Sequence, residues 1–313
     1  MSLIVVEQMI IIFLLILVGA IVYKLGHLTK ESTRDLSWIV VNVTNPITML
    51  VAAIEDNEKI SNFELGIAFM ALVLVYIILG IFAYLLPIIL RIEKSERYSY
   101  NFMGVFANVG FIGIPFCSAV LGVHSLIYVT LCIFVFNIIA YSVGMSVMRK
   151  IGKVQNPDVD FGSSKISIFD IINTGTVMSV LTILIYVSNI RLPLIMESTL
   201  SYIGRCTTFI SMVVLGVSVA QVSLKEIFSG GKIYIFIVIR QILIPIVLLY
   251  ILRMFLTNDL MVKTIIILSA MPCANMPLMM AKQFKVNDTT LSKGIILTTL
   301  LSVITIPIVS LML

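Results

Sequence analysis

The fold class predicted by the sequence is an all-α polytopic membrane protein: ten transmembrane helices in two inverted five-helix repeats, with helices 4 and 9 broken. Three observations carry that expectation. Of the 313 residues, 60% are apolar and 12% charged, and the mean hydropathy is +1.13, whereas soluble globular chains carry about 25% charged residues. The apolar residues gather in stretches of about 20, the length at which a helix rising about 1.5 Å per residue crosses the hydrocarbon of a bilayer. Lysine and arginine alternate between the connections that join those stretches, which sets their orientation.

The first span, residues 9 to 23, is continuously apolar up to Tyr23, with Glu7 and Gln8 at its outer end. It lacks the basic start and small-residue cleavage site of a signal peptide and is read as a retained helix. The second runs from Leu36 to Ile54, after a polar stretch from Lys24 to Asp35, and the third from Leu65 to Leu90. The fourth, Tyr100 to Leu121, is interrupted by the sequence FANVGFIGIP at 106–115. The fifth, Leu126 to Met148, ends at Arg149 and Lys150. A polar connection, 151–165, is too short for a domain and separates a first repeat, 1–150, from a second, 166–313. In the second repeat, spans six to eight cover Ile166 to Val187, Thr199 to Gln221 and Ile233 to Leu252. The ninth, Val262 to Ala281, is interrupted by AMPCANMPL at 270–278, and the tenth runs from Gly294 to Leu313.

Fifteen lysines and arginines fall in connections that follow odd-numbered spans, and four in those that follow even-numbered ones. The positive-inside rule therefore makes the odd connections cytoplasmic and places both termini outside. Five is an odd number, so the second half enters from the opposite side, and an internal duplication is inverted. The interruptions agree with this: Pro115 and Pro277 each sit 15 residues after the start of their span, at Tyr100 and Val262.

Glycine and proline disfavour a helix interior, and proline also removes an N–H and clashes one turn back. Each interrupted span should unwind near its centre. Freed backbone groups are tolerated at that depth only where protein or a watery cavity receives them. A pair of such breaks in corresponding positions points to the substrate site of a secondary transporter. A half-helix beginning at mid-membrane aims unsatisfied N–H groups and a positive dipole end at the break, which favours an anion. Asn108 and Asn275 add amide donors there, or alternatively only cap the broken backbone. Gly110 and Gly113 bring backbone close to a ligand or, as we favour, let two helices cross closely.

Arg240 lies eight residues beyond Lys232 and five before Pro245, about 12 Å into its helix. It is read either as a buried carboxylate partner or as a side chain that snorkels to the headgroups. Arg205 lies nearer a span end, where snorkelling is expected. Asn45, Asn137, Asn173 and Ser302 are uncharged polar groups within spans, by default interhelical hydrogen-bonders. Asn137 is the one singled out for binding. No aspartate or glutamate lies near a span centre, so a proton relay through a buried carboxylate has no support. Ion coupling is then absent, or it uses neutral oxygens for sodium.

Several function classes are excluded. The net charge of +5 is spread over short loops rather than one patch, which argues against nucleic-acid binding. Cys117, Cys132, Cys206 and Cys273 lie in apolar stretches without paired spacing and are read as small core residues. His27 and His124 lie in connections, and neither a zinc-hydrolase motif nor a nucleophile elbow is present. No enzyme, metal site or cofactor is expected.

The motifs resemble the auxin efflux carrier family of plants and bacteria. Asn108 seven residues before Pro115, in the run Gly113-Ile114-Pro115, is similar to the crossover of that family's fourth helix, and Ala270-Met271-Pro272 with Pro277 to that of its ninth. The tail LSKGIILTTLLSVITIP at 291–307 resembles its tenth helix, and the second span, with Asn42, Asn45 and Pro46, its second. The resemblance covers the whole chain.

It implies the fold shared with bile acid sodium symporters. Helices 1, 2, 6 and 7 would form a scaffold and homodimer surface, and helices 3–5 and 8–10 a transport domain with crossed broken helices. The implied activity is secondary active or facilitative transport of a small organic anion, such as malate, malonate or an aromatic carboxylate, across the cell membrane by an elevator movement. The substrate-binding candidates are Asn108, Gly110, Gly113, Pro115, Asn137, Arg240, Pro272, Cys273, Asn275, Met276 and Pro277. The chain lacks the long cytoplasmic loop of the plant carriers and the aspartate or lysine they place in the third span, so a small carboxylate is expected rather than auxin. Competing readings are a sodium-coupled symporter of the bile acid type, a membrane sensor that binds the ligand without moving it, and an ion channel.

Overall fold

The structure, a computed structural model, describes residues 2–55, 59–162, 168–188, 190, 192–221 and 231–313. The expected start of the sixth span at Ile166, and Lys165, Arg191 and Lys225 among the orienting cations, lie outside the described residues. Seven helices among those described are long and apolar enough to cross a membrane. They are α1 (Ser2–Lys24), α2 (Lys30–Glu55), α3 (Asn62–Ile89), α6 (Val123–Gln155), α8 (Leu194–Ala220), α9 (Gly231–Arg253) and α12 (Thr289–Ser310). They coincide with the first, second, third, fifth, seventh, eighth and tenth expected spans. The two interrupted spans are split as expected. The fourth becomes α4 (Arg97–Val105) and α5 (Val109–Leu121), and the ninth becomes α10 (Asp259–Ala270) and α11 (Met276–Gln283). Shorter α7 (Thr174–Ser188) stands where the sixth span was expected.

Helix ends follow local chemistry more than hydropathy. At the head of α2, Thr29 and Ser32 cap each other reciprocally, Ser32 N donating to Thr29 Oγ1 at 3.1 Å and Thr29 N to Ser32 Oγ at 2.8 Å. The helix therefore begins before the apolar run. Ser61 and Glu64 do the same for α3. Helix α6 runs to Gln155, past the end expected at Met148, so part of the connection 151–165 is helical. Arg149 and Lys150 do not stop it because its tail is amphipathic: Met148 and Gly152 are buried, and a Cβ on Gly152 would lie 2.6 Å from the Phe284 carbonyl. Arg149 pairs with Asp170 at 3.5 Å and lies over the Phe284 ring. Asn156 Nδ2 donates to Lys285 O at 2.9 Å, and Asn287 N to Gln155 Oε1 at 2.9 Å. The end of the first half is thus fastened to the segment after α11.

Three prolines leave the same mark. Widened π-helical turns at Val40–Thr44, Val109–Gly113 and Ile239–Leu243 end just before Pro46, Pro115 and Pro245. A proline offers no N–H to the preceding turn and its ring crowds that turn's carbonyl, so the ladder opens by one residue there. The third widened turn carries Arg240 and Gln241, both fully buried.

Helix α1 packs along α8, and α7 and α8 both pack on α2; α3 lies on α4 and α6, while α12 contacts α4, α9 and α10. The α1–α8 crossing is close because it is lined by glycine. A Cβ on Gly216 would clash with the Ile16 carbonyl oxygen and lie 2.8 Å from Ala20 N, and one on Gly19 would lie 2.7 Å from Val213 Cα. Cys117, Cys132 and Cys273 are buried as expected, but Cys206 is exposed on the outer face of α8 and is not a core residue. At the head of α10, the Lys263 ammonium bonded to Asp259, with Arg253 beside it, holds that carboxyl below its ordinary range.

Candidate functional site

The two interruptions meet. Past the end of α4, Phe106 is extended (φ −96°, ψ 102°). Asn108 (φ −79°, ψ 65°) forms an inverse γ-turn, closed by Val109 N donating to Ala107 O at 2.9 Å. Past the end of α10, Cys273 pairs with Ala107 as a single antiparallel β-bridge. Asn108 N donates to Pro272 O at 2.7 Å, and Ala274 N donates to Phe106 O at 2.9 Å. Each break thus supplies the partners that the other lost by unwinding. That is the condition for irregular backbone within a bilayer. Phe106, Ala107, Asn108, Met271, Pro272, Cys273 and Ala274 are all buried.

The two half-helices that end at the crossover, α4 and α10, share one cation. Arg240, fully buried in the widened turn of α9, donates from Nε to Met103 O at 3.1 Å, and from Nη1 to Ser269 O at 2.8 Å and Met271 O at 2.7 Å. Its burial rules out snorkelling. Nη2 has no protein partner. Arg205, by contrast, is exposed on α8. Around Arg240, Cys273 Sγ donates to Met103 O at 3.3 Å, Cys273 N to Thr298 Oγ1 at 3.1 Å and Gln241 Nε2 to Thr298 O at 3.1 Å.

The two half-helices that begin at the crossover, α5 and α11, are dressed differently. Asn108 Oδ1 accepts from Phe111 N at 3.1 Å and so caps α5, while its Nδ2 is buried without a protein partner. Asn275, half-buried ahead of α11, makes no side-chain cap bond, and Met276 beside it is also half-buried. Pro115 lies in the first turn of the regular part of α5 and Pro277 in that of α11, both buried. A Cβ on Gly113 would lie 2.8 Å from Leu268 Cδ2, which is the close helix crossing its sequence context suggested. A Cβ on Gly110 would lie 3.3 Å from Asn45 Nδ2. The Oδ1 of Asn45 and the Oγ1 of neighbouring Thr44 are likewise buried without protein partners. Buried polar groups of this kind call for a water, an ion or a ligand.

Asn137 stands apart from this group. It is buried on α6, but its amide packs against the head of α7, where a Cβ on Gly175 would lie 2.7 Å from Asn137 Nδ2. The cavity beside the crossover is lined instead by Tyr76, Cys132, Val105, Ala107, Val109 and Ser269, and its volume is about 10 Å³. That is about the space of one water molecule. The crossover is closed in this conformation. Tyr76, Gln241 and Thr298 were not singled out from the sequence. The available signal was a polar atom at mid-span, shared with many bystanders.

The chain matches the family described as Membrane transport protein over residues 4–310. It belongs to that family, the auxin efflux carrier family of transporters. It is also similar to an uncharacterized transporter of Methanocaldococcus jannaschii, with 23% identity over 306 residues covering 96% of each chain. Membership agrees with a multi-pass membrane protein whose role is transport. The two interrupted helices meet at a buried contact, which is the candidate site.

Proposed function

We propose that this transporter moves a small organic anion such as malate, malonate or an aromatic carboxylate across the cell membrane by an elevator movement. In that reading ten spans form two inverted repeats with both termini outside. Helices α1, α2, α7 and α8 are the scaffold, through which two copies associate, and the remaining helices carry the crossover. The observation that carries the reading is the paired break. Two half-helices begin at the crossover, where Asn108 Nδ2 is buried and unpartnered and the half-buried Asn275 side chain makes no capping bond. Helix N-termini with free amide donors hold anions. The packing supports a scaffold in which α1 lies on α8, and α7 and α8 lie on α2; the contacts of α7 with α6 and of α1 with α12 are the ones along which the two parts would slide.

The test is flux. Full-length protein reconstituted into liposomes should exchange labelled malate, malonate or an aromatic carboxylate well above protein-free vesicles. Absence of flux with all three classes would contradict the proposal. Binding without flux would select the sensor, and single-channel currents the channel.

A further inference from the structure

We infer that Arg240 is a built-in cation, occupying the position where a crossover of this design would otherwise need a free one, so that the site closes without sodium. The argument begins with what two helix ends require. The last carbonyls of any helix lack partners within it, and each C-terminus carries about half a negative charge. At the crossover two such ends converge, that of α4 at Met103 and that of α10 at Ser269 and Met271. Within a bilayer these carbonyls cannot be left bare. Unwound carbonyls and half-helix C-termini are the groups that coordinate sodium or a proton in transporters with broken helices.

In this chain a guanidinium reaches all three, at 2.7–3.1 Å. It is always charged, and its fork suits several acceptors at once. No carboxylate pairs with Arg240 among the described residues, and no acidic or histidine cluster able to hold a metal ion is found among them. The counter-charge of Arg240 is therefore the pair of helix ends themselves. The widened turn before Pro245 presents the side chain from a third helix, α9, so one residue ties three segments together. The inference is independent of which anion is carried, and its test requires no transport.

The melting temperature of the purified full-length protein in detergent reads it directly. For the wild type, replacing sodium by N-methylglucamine at equal ionic strength should change that temperature by less than about 1 °C, because a ligand absent from the folded state contributes nothing. Arg240→Met should lower it by at least about 5 °C, and Arg240→Lys, which keeps the charge, should recover half of that loss or more. Arg240→Ala should be stabilised by about 10 mM guanidinium and not by the same concentration of neutral urea. A specific sodium stabilisation of the wild type, equal melting of the lysine and methionine variants, or no response of Arg240→Ala to guanidinium would each overturn the inference. If the methionine and alanine variants do not accumulate, the lysine variant must still do so. Failure of all three would count against a role of charge.

Discussion

Replacing Asn108 by aspartate lowers anion flux by at least about 100-fold while the protein still folds. The carboxylate keeps the acceptor that caps α5 through Phe111 N, and negative charge at a helix N-terminus is favourable in itself. What it loses is the amide donor, whose Nδ2 is buried without a protein partner. A hydrogen bond to a charged ligand is worth about 1.5–3 kcal/mol, or about 10–100-fold, and repulsion between the new carboxylate and the substrate adds to that. Asn108→Ser separates the two roles, since serine also caps but cannot place the same donor. It should fold and lose about tenfold or more of the flux. Initial rates in proteoliposomes, compared with melting temperatures of the same preparations, check both. If the aspartate and serine variants transport at the wild-type rate, Asn108 is only a cap.

Gly216→Leu gives the opposite pattern, a large loss of stability far from the crossover. A Cβ at this position would clash with the Ile16 carbonyl oxygen, and Gly19 Cα would lie 3.0 Å away. Backbone cannot yield as a flexible side chain does, so α1 and α8 must separate. Small residues at membrane helix contacts earn their place through such close approach. Overpacking costs about 1–3 kcal/mol in ordinary cores and more where only backbone can move. A drop of at least about 5 °C in melting temperature is expected, together with reduced accumulation, while the surviving fraction retains the wild-type affinity for the transported anion. A melting temperature equal to the wild type would show that the two helices are not packed as described.

Much of this architecture was legible in the chain because its causes are local. Apolar runs mark the long helices, and Gly110, Gly113, Pro115, Pro272 and Pro277 mark where two of them unwind. The capping box at Ser61 and Glu64 is likewise a short-range signal. What could not be read depends on residues distant in sequence. Nothing near Ala107 announces that it pairs with Cys273, and nothing near Arg240 distinguishes a side chain bound for the headgroups from one bound for Met103 and Met271. Hydropathy places an arginine at a depth but gives no direction around the helix. The tail of α6 was misjudged for a related reason: Arg149 and Lys150 look like a boundary until Asp170 and Phe284 are brought beside them. Gly19 and Gly216 were unreadable because glycine is common in membrane helices and only the contact shows which ones are needed.

The meeting of the two breaks can be tested without knowing the substrate. Ala107 and Cys273 face each other as a non-hydrogen-bonded antiparallel pair, flanked by the Asn108 N to Pro272 O and Ala274 N to Phe106 O bonds. In such a pair the Cα atoms lie about 4.5 Å apart, within the range a disulfide spans. With Cys117, Cys132 and Cys206 replaced by serine, Ala107→Cys leaves two thiols, at 107 and 273. Mild oxidation of the folded protein should join them, and digestion followed by mass spectrometry should recover one peptide linking residue 107 to residue 273. Two separate peptides, each alkylated at a free thiol after the same oxidation, would show that the interrupted helices do not touch there.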